Sequence, residues 1–541
     1  MMKRAVACAF CVFTMDALIA VPLPHGGAKT NAVIKSETYE LNADTITYKT
    51  LVHDVAGLAT IDLTGEPAKT ITLVAPATSS GFNQTAANAE VWIKGGTVTF
   101  SQGGKCYLGN DTAANSKMIL TDGATLTGCT NFVAATKQSG VVLALTNAAI
   151  KTWNFAIDNG GCPGVNSVLA GANATIEVSE DFSTEDGPST KSKAGTVFEM
   201  AGAGSSLKVS GVANIGSVAG GAFTLGAGSA ATFGTLNFGC KTTNTAGSDC
   251  MLTVSDATVK ATGVAFAKDA GVSGDRVVIS GSSATFKHDG SKNTDIFGSG
   301  SDCRVTVANG ATLEFTSARR LFKSVTASTL EFVDGGILSS PKPIHFGYGT
   351  TARPLDCVPN RIVFGNLGSY SGEGINIYGV NNEVVVSNGL YQSVLVIGNV
   401  QDGCNTPTNV ALVLQGTSPR VDATQLRMDG VNPRIRFELA KEGYLWTDDR
   451  TAPIVIASQG LSLSESATFE ADVSRLDPRL RGQSIPVISS SAADLVIPDA
   501  VLARSNDLGA AGLYKYSFRL SDDRRTLYLL AKARGLFLVA P

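Results

Sequence analysis

The sequence predicts an all-β protein, a right-handed parallel β-helix built as a single-stranded solenoid of about 25 residues per coil with terminal caps. Three observations predict it. Short segments that alternate apolar and polar residues recur along the chain, and Asn-Gly or Asp-Gly turn signals follow many of them. Charged residues make up only 16% of the 541 residues, so Gly, Ser, Thr and Asn must provide most of the polar surface.

The segment RVTVANGATLEF, residues 304–315, shows the repeat unit most clearly. Successive side chains of a strand point to opposite faces, so Arg304 and Thr306 are predicted to point outward. Asn309-Gly310 supplies the positive φ that a sharp corner needs. The four apolar residues of the unit are predicted to lie in the core: Val305, Val307, Leu313 and Phe315.

Ten copies of the unit align on the last apolar residue before the turn: Leu120, Leu145, Val178, Val209, Leu225, Val254, Ile279, Val307, Phe332 and Val386. Their spacings are mostly 25 to 33 residues, and the last spacing of 54 places a degenerate coil around residues 361–372. A strand pair of this size cannot bury its apolar face alone, so each strand is expected to pair with its equivalents in neighbouring coils. The handedness follows from the preference of parallel crossovers. A string of sandwich domains is the rival architecture, but residues 117–415 show no Greek-key spacing.

The chain is expected to contain four regions. The N-terminus has a basic start, Met1 to Arg4, and an apolar run over residues 5–21, as in an export signal. No later segment reaches the roughly 18 apolar residues of a membrane span, so no transmembrane segment is expected in the mature chain. The predicted regions are a signal peptide (1–28), an N-terminal cap with the first coils (29–100), the parallel β-helix (101–440), and C-terminal strands with a cap (441–541). Within the last region, the segments on either side of Asp522-Asp523 are predicted to form a hairpin.

Ten cysteines are compatible with an exported protein. Eight remain after the signal peptide, and Cys240 and Cys250 are the best local candidates for a disulfide because they enclose a short polar loop. Cys106 and Cys129 are 23 residues apart, about one coil, and could stack on neighbouring coils. The alternative is that the cysteines are reduced, small hydrophobic residues of the core.

The V-x-V-S-N-G-A-T-L unit, the export-type N-terminus and the closing RLSDDRRTLYL segment resemble bacterial autotransporter-passenger-like and adhesin-like parallel β-helix repeat proteins. The resemblance covers most of residues 95–440 and implies a fold more than a function. The chain ends at Val539-Ala540-Pro541 without the long alternating strands of a membrane barrel, so barrel anchoring is not expected. No catalytic residues follow from the resemblance.

Parallel β-helices also include polysaccharide lyases and hydrolases, so the catalytic motifs of those enzymes are relevant to this chain. Resemblance to polygalacturonases would require further acidic and Gly-His-Gly motifs beside Asn293-Thr294-Asp295, and these are missing, so Asp295 is predicted to be a turn residue. The nearest Asp-Asp pair, Asp448-Asp449, is more than 150 residues away. Arg319-Arg320 and Lys323 could serve as lyase bases, but acidic partners at coil spacing are sparse, and a solvated basic corner is predicted.

Aromatic residues are few, at 7%, and no stacked sugar-binding platform is evident. Trp92, Trp153 and Trp446 lie far apart in sequence. Two alternatives stay open for three tyrosines: they could point outward and line one face, or they could pack against an inserted loop. The three are Tyr370, Tyr378 and Tyr391.

The net charge of −3 gives no basic surface for nucleic acid. The sequence therefore predicts a non-enzymatic protein of the adhesin or surface-scaffold type, secreted or on the cell surface of a bacterium. Its partner would be an unknown glycan, a cell surface or another copy of itself, with no cofactor, catalytic residue or metal site. The alternative is a polysaccharide-degrading, pectin-lyase-like β-helix enzyme.

Overall fold

The computed structural model confirms an all-β parallel β-helix, with 57% of residues in strands, 3% in helix and about 27 residues per turn. It describes residues 21–531 except for 25, 66–67, 111, 137, 160–161, 187–194, 217–218, 241–247, 291–293, 318, 323–325, 349–354, 356, 401–405, 440–451, 475, 477–479, 481, 492 and 512–514. Residues 1–20 of the predicted signal peptide therefore lie outside the described part of the chain, and the signal peptide stays a prediction.

Sheet 1 contributes one strand to each coil, and every strand pairs in parallel with the equivalent strands of the neighbouring coils. Its described strands are Val21–Pro22, Thr38–Glu40, Gly57–Asp62, Ala89–Lys94, Lys117–Thr121, Val142–Leu145, Ser167–Ala170, Val197–Met200, Ala222–Leu225, Met251–Ser255, Arg276–Ser280, Arg304–Ala308, Thr329–Val333, Arg361–Phe364, Glu383–Ser387, Ala411–Gly416, Arg434–Leu439 and Thr468–Ala471.

Sheet 2 covers the rest of the coil and bends at a corner. In coils with one long strand, such as Thr125–Ala135, the register shifts at the corner, here at Gly128 with a φ of 83°. Its described strands are Gly27–Ile34, Thr45–His53, Thr70–Leu73, Ser80–Gln84, Thr97–Phe100, Lys105–Gly109, Thr125–Ala135, Ala149–Asn159, Thr175–Val178, Phe182–Asp186, Ser206–Ile215, Ala230–Phe238, Thr258–Phe266, Thr285–His288, Thr294–Asp295, Thr312–Phe315, Arg319–Leu321, Ile337–Ser340, Ile344–Phe346, Ser369–Ile377, Leu390–Ile397, Arg420–Met428, Ile454–Ile456, Leu461–Leu463, Ser484–Ser490, Tyr516–Leu520 and Thr526–Ala531.

The repeat unit at residues 304–315 occupies a corner of one coil, as predicted. Its two strands pair with neighbouring coils, because Val305 aligns with Val277 and Leu330, and Leu313 aligns with Phe286. The four predicted core residues, Val305, Val307, Leu313 and Phe315, are all at most 1% exposed. Asn309 and Gly310 both have positive φ, 56° and 80°, which confirms the corner.

Apolar side chains stacked in register make one continuous core. Phe132 stacks on Phe155 at 4.9 Å between ring centres, and Phe155 stacks on Phe182 at 5.4 Å. These three residues align in the pairing of successive strands. Stacked rings at these distances bury large apolar areas, so the stack fixes the register of the coils.

Charges on the outer faces also pair between coils. Glutamate carboxylates form ion pairs with a lysine or an arginine one coil away, at N–O distances of 2.7 to 3.4 Å. The residues of each pair are also register partners in their sheets. The pairs are Lys151–Glu177, Lys287–Glu314 and Arg361–Glu383.

The C-terminal end of the solenoid is covered by a helix and a hairpin. Tyr516–Leu520 and Thr526–Ala531 form the antiparallel hairpin that the sequence predicted, and the second strand also pairs with Ser484–Ser490. The helix Asp499–Ala511 was not predicted. Its Ser505 Oγ accepts a hydrogen bond at 2.9 Å from Phe469 N, on the last strand of sheet 1. The helix thus protects a strand edge that would otherwise be open to pairing.

Candidate functional site

A groove of about 330 Å³ lies on the outer side of sheet 2, where the strands have just passed the corner. It crosses four successive coils because its lining comes from strands Thr125–Ala135, Ala149–Asn159, Phe182–Asp186 and Ser206–Ile215. The outward residues of the first three coils at this position, Val133, Ala156 and Ser183, are in register, and their side chains are small or medium in size. The groove therefore follows the stacking direction of the coils. Its described lining residues are Asn131, Phe132, Val133, Asn154, Phe155, Ala156, Asp181, Phe182, Ser183 and Asn214.

Polar side chains at coil spacing form one wall of the groove. Asn154 Nδ2 donates to Asn131 Oδ1 at 3.0 Å, and Asn154 Oδ1 accepts from Asp181 N at 3.2 Å. Asp181 Oδ1 in turn accepts from Val212 N at 3.0 Å. Each side chain thus ties its coil to the next, which fixes the wall in place before any ligand binds.

Several polar atoms of the lining remain available to a ligand. Within the described residues, no hydrogen bond engages Asn131 Nδ2, Ser183 Oγ, Asp181 Oδ2 or Asn214 Nδ2. They provide amide donors, a hydroxyl and a carboxylate oxygen along one line. The set therefore contains both hydrogen-bond donors and hydrogen-bond acceptors.

Trp153 lies directly before Asn154 and is 57% exposed, the one aromatic residue among the exposed large hydrophobic residues of the described chain. Its backbone is fixed, because Trp153 O accepts a hydrogen bond from Glu180 N at 2.8 Å. Trp153 is not itself a lining residue of the groove, but it is the chain neighbour of the lining residue Asn154, and its exposed indole offers an apolar face for stacking without rearrangement of the backbone.

The groove does not contain the pair of carboxylates that glycoside hydrolysis requires. Asp181 is the single carboxylate among its described lining residues. Asp158 belongs to the same strand as Ala156, but its side chain is only 1% exposed and accepts hydrogen bonds from Cys162 N at 3.3 and 3.4 Å. The described lining of the groove therefore provides one carboxylate, that of Asp181.

The tyrosines that the sequence offered as an outward face are buried, and that alternative was wrong. The rings of Tyr370 and Tyr391 stack inside the coil with 5.1 Å between their centres, and the two residues are in register on neighbouring strands. Tyr378 is also buried, with 1% of its surface exposed. Their hydroxyls satisfy the bent backbone: Tyr370 OH donates to Gly374 O at 3.0 Å and accepts from Gly374 N at 2.9 Å. Burial raises the pKa of Tyr370 to about 12.

The predicted solvated corner at Arg319-Arg320 is wrong for Arg319, which is 0% exposed. Its Nε donates to His288 Nδ1 at 2.6 Å, and its Nη2 donates to Gly290 O at 2.9 Å. Burial, and secondarily the charge of Arg319, lowers the pKa of His288 to about 4, so His288 is neutral. Arg320, the next residue, faces outward and is half-buried.

The other residues considered from the sequence do not join the groove. Trp92 lies on sheet 1, where its Nε1 donates to Glu90 Oε1 at 2.5 Å. The backbone of Asp295 forms a short strand with Thr294, not the predicted turn. Four residues lie outside the described part of the chain: Lys323, Trp446, Asp448 and Asp449.

Cys240 and Cys250 are both buried, and their sulfur atoms contact polar groups. Cys240 Sγ lies 3.8 Å from Asn214 Oδ1, and Cys250 Sγ lies 3.7 Å from Ser248 O. The structure contains both as thiols, without the predicted disulfide between them. Cys106 and Cys129 are buried and reduced, and Cys106 aligns with Phe132, not with Cys129.

In the described ranges, no three His, Cys, Asp or Glu side chains come together in a way that could hold a metal ion. None of the described helical segments is long and apolar enough to cross a membrane. No protein-family model, curated protein or solved structure matches this chain.

Proposed function

We propose that this protein is a non-enzymatic, adhesin-like β-helix that binds a glycan in the groove beside Trp153. The observation that supports this most directly is the exposed indole of Trp153, the chain neighbour of Asn154, together with groove atoms that have no described hydrogen-bond partner: Asn131 Nδ2, Ser183 Oγ, Asp181 Oδ2 and Asn214 Nδ2. Aromatic faces pack on the apolar faces of sugar rings, and the polar atoms fix the orientation of the hydroxyls. The groove follows the stacked coils, so a linear chain of sugars fits its shape.

The binding test uses the full chain and a panel of neutral oligosaccharides, with affinity measured by calorimetry. Trp153→Ala is expected to weaken binding about tenfold, since an aromatic contact contributes about 0.5–1.5 kcal/mol beyond its buried area. Asp181→Asn retains the oxygen that accepts from Val212 N, and is expected to weaken binding by removing one acceptor from the groove. Met251→Ala is the matched control, because Met251 is 47% exposed on sheet 1, away from the groove. Wild-type affinity in Trp153→Ala would contradict the proposal.

The alternative function is a polysaccharide-degrading enzyme, and the same glycans test it. Incubation followed by measurement of new reducing ends or unsaturated products is expected to show no turnover, because the groove provides one carboxylate where hydrolysis needs two. If the wild type showed such turnover and Asp181→Asn abolished it, the groove would be a catalytic site, and the binding proposal would be replaced by an enzymatic one.

We also propose that the protein acts outside the cytoplasm, on a cell surface or as a secreted protein. The basic and apolar N-terminus supports this location. Expression of the full chain in a bacterial host, followed by fractionation and mass spectrometry of the mature N-terminus, tests it. A cytoplasmic protein with Met1 intact would contradict it.

A further inference from the structure

A second polar cluster lies on the outer side of sheet 2, several coils beyond the groove. Arg320 projects from strand Arg319–Leu321 and is in register with His345 on strand Ile344–Phe346. Its guanidinium carbon lies 4.5 Å from the centre of the Tyr348 ring, a cation–π contact that restricts the side chain. The ring of His345 lies 5.7 Å from the same tyrosine ring.

The imidazole of His345 is held by its other neighbours. Its Nδ1 lies 3.1 Å from Tyr378 OH, and Asn399 Nδ2 donates to that hydroxyl at 2.7 Å. Burial, and secondarily the charge of Arg320, lowers the pKa of His345. Its Nε2 has no hydrogen-bond partner among the described residues. A bound anion would favour a proton on Nε2 and so receive a hydrogen bond from it.

Arg320 differs from two other arginines on the outer faces of the coils. Arg304 forms an ion pair with Glu331 at 2.5 Å, and Arg361 forms one with Glu383 at 2.9 Å, in each case across neighbouring coils. Arg320 has no ion pair among the residues whose side chains the structure describes, although the backbone of Asp295 is its register partner on the other side. A half-buried guanidinium that has no carboxylate partner among the described side chains can make a bidentate contact to an anion.

We propose that Arg320, His345 and Tyr348 form a binding site for the anionic group, carboxylate or sulfate ester, of an acidic polysaccharide. Arg320 supplies two parallel N–H donors and His345 Nε2 supplies a third, while Tyr348 holds the guanidinium in place. A polymer is favoured over a small ion because the strands that carry Arg320 and His345 belong to the same stacked sheet as the strands that form the groove. The net charge of the chain is −3, so a local unpaired cation is needed to bind an acidic polymer.

The experiment compares three polymers that share one backbone: dextran, carboxymethyl-dextran and dextran sulfate. Affinities for the full chain are measured at one ionic strength, because electrostatic binding depends on salt. We expect the wild type to bind at least one anionic polymer at least tenfold more tightly than dextran. Carboxymethyl-dextran and dextran sulfate separate the two anionic groups. No preference for either over dextran would overturn the proposal.

Variants locate the site. Arg320→Gln is expected to lower the affinity for the anionic polymer at least tenfold. Arg320→Lys is expected to lower it by an intermediate amount, because lysine retains the positive charge but not the two parallel N–H donors of the guanidinium. Arg304→Gln is the matched control, since it removes the same charge from sheet 1. Equal losses in Arg304→Gln and Arg320→Gln would show diffuse attraction and refute the site. Melting temperatures of all variants check that each is folded.

Two further measurements distinguish this polymer site from a small-anion site and from the groove. Sodium sulfate added in place of sodium chloride at equal ionic strength should not displace the polymer, and complete displacement would reduce the site to a small-anion site and overturn the proposal. Trp153→Ala is expected to leave the preference for the anionic polymer over dextran unchanged. If Trp153→Ala lost polymer binding and Arg320→Gln retained it, the anionic polymer would bind in the groove. That result would refute a separate site at Arg320 but would leave the proposal for the groove intact.

Discussion

A buried carboxyl group between two coils makes the stability of this solenoid depend on pH. Asp275 precedes strand Arg276–Ser280 and is 0% exposed. Its Oδ1 accepts from Cys250 N in the neighbouring coil at 3.0 Å, whereas its Oδ2 has no hydrogen-bond partner among the described residues. Burial raises the pKa of Asp275 from 3.8 to about 7, and Asp249 adds to the shift.

The sign of the effect follows from this shift. A carboxyl with a raised pKa in the folded state binds its proton more tightly there than in the unfolded chain. The cost of burying the ionised carboxylate lowers the free energy of unfolding. This cost is absent below about pH 4, grows as the pH rises toward 7, and is constant above pH 7. A shift of about three units corresponds to about 4 kcal/mol of folding free energy lost between pH 4 and pH 8.

The substitution Asp275→Asn removes the charge and retains an oxygen for Cys250 N. Asparagine fits this position, because Asn166 Oδ1 accepts from Val141 N and Asn360 Oδ1 accepts from Ser328 N at the equivalent place in other coils, both at 3.0 Å. The new amide donor costs about 1–3 kcal/mol if it finds no acceptor, at every pH. The net gain at pH 8 is therefore about 1–3 kcal/mol, and the variant is expected to be less stable than the wild type at pH 4.

Urea unfolding at pH 4, 6 and 8, followed by circular dichroism, measures this difference. The gap between the free energies of unfolding of Asp275→Asn and the wild type should rise by about 4 kcal/mol from pH 4 to pH 8. Asp302→Asn is the control, because the Asp302 side chain is 63% exposed. A gap for Asp275→Asn that does not change with pH would refute the argument that burial holds the proton on this carboxyl.

The remaining predictions concern the core and the buried cation. Val307→Ala is expected to lower the free energy of unfolding by about 1–3 kcal/mol because it leaves a cavity in the core. Thr306→Ala on the outer face should change this free energy by less than about 0.5 kcal/mol. Equal effects of the two substitutions in urea unfolding would contradict the inward position of Val307 and the outward position of Thr306. Arg319→Met is expected to cost about 3–5 kcal/mol, because the carbonyl of Gly290 and Nδ1 of His288 lose their buried donors. A melting temperature for Arg319→Met within a degree of the wild type would show that these contacts contribute nothing to stability.

Local alternation predicted the burial of the repeat unit correctly, because a strand on a solenoid has one buried face. Val305 and Val307 are core residues, and Asn309 has the positive φ that its turn signal implied. The same alternation also indicates that Tyr370 points inward. Ser369 and Ser371 flank this tyrosine and are polar, so alternation alone places Tyr370 inward.

The alternation at Arg319-Arg320-Leu321 also implied that one arginine points inward. Sequence could not show that the inward arginine would find acceptors, because His288 and Gly290 are about 30 residues earlier in the chain. The groove wall has a comparable signal, since Asn131, Asn154 and Asp181 are separated by 23 and 27 residues. That signal is weak, because asparagine and aspartate are also ordinary turn residues.

The sequence by itself determined the fold class, the inward and outward residues of the repeat unit, and the C-terminal hairpin. These features depend on contacts within one coil or on a period that a linear chain displays. Only the tertiary structure decided which outward residues become neighbours, and therefore where the groove and the Arg320 cluster lie. The physical reason is that coil lengths vary with each inserted loop, so the register between coils is set by stacked side chains such as Phe132, Phe155 and Phe182, not by a constant spacing in the sequence.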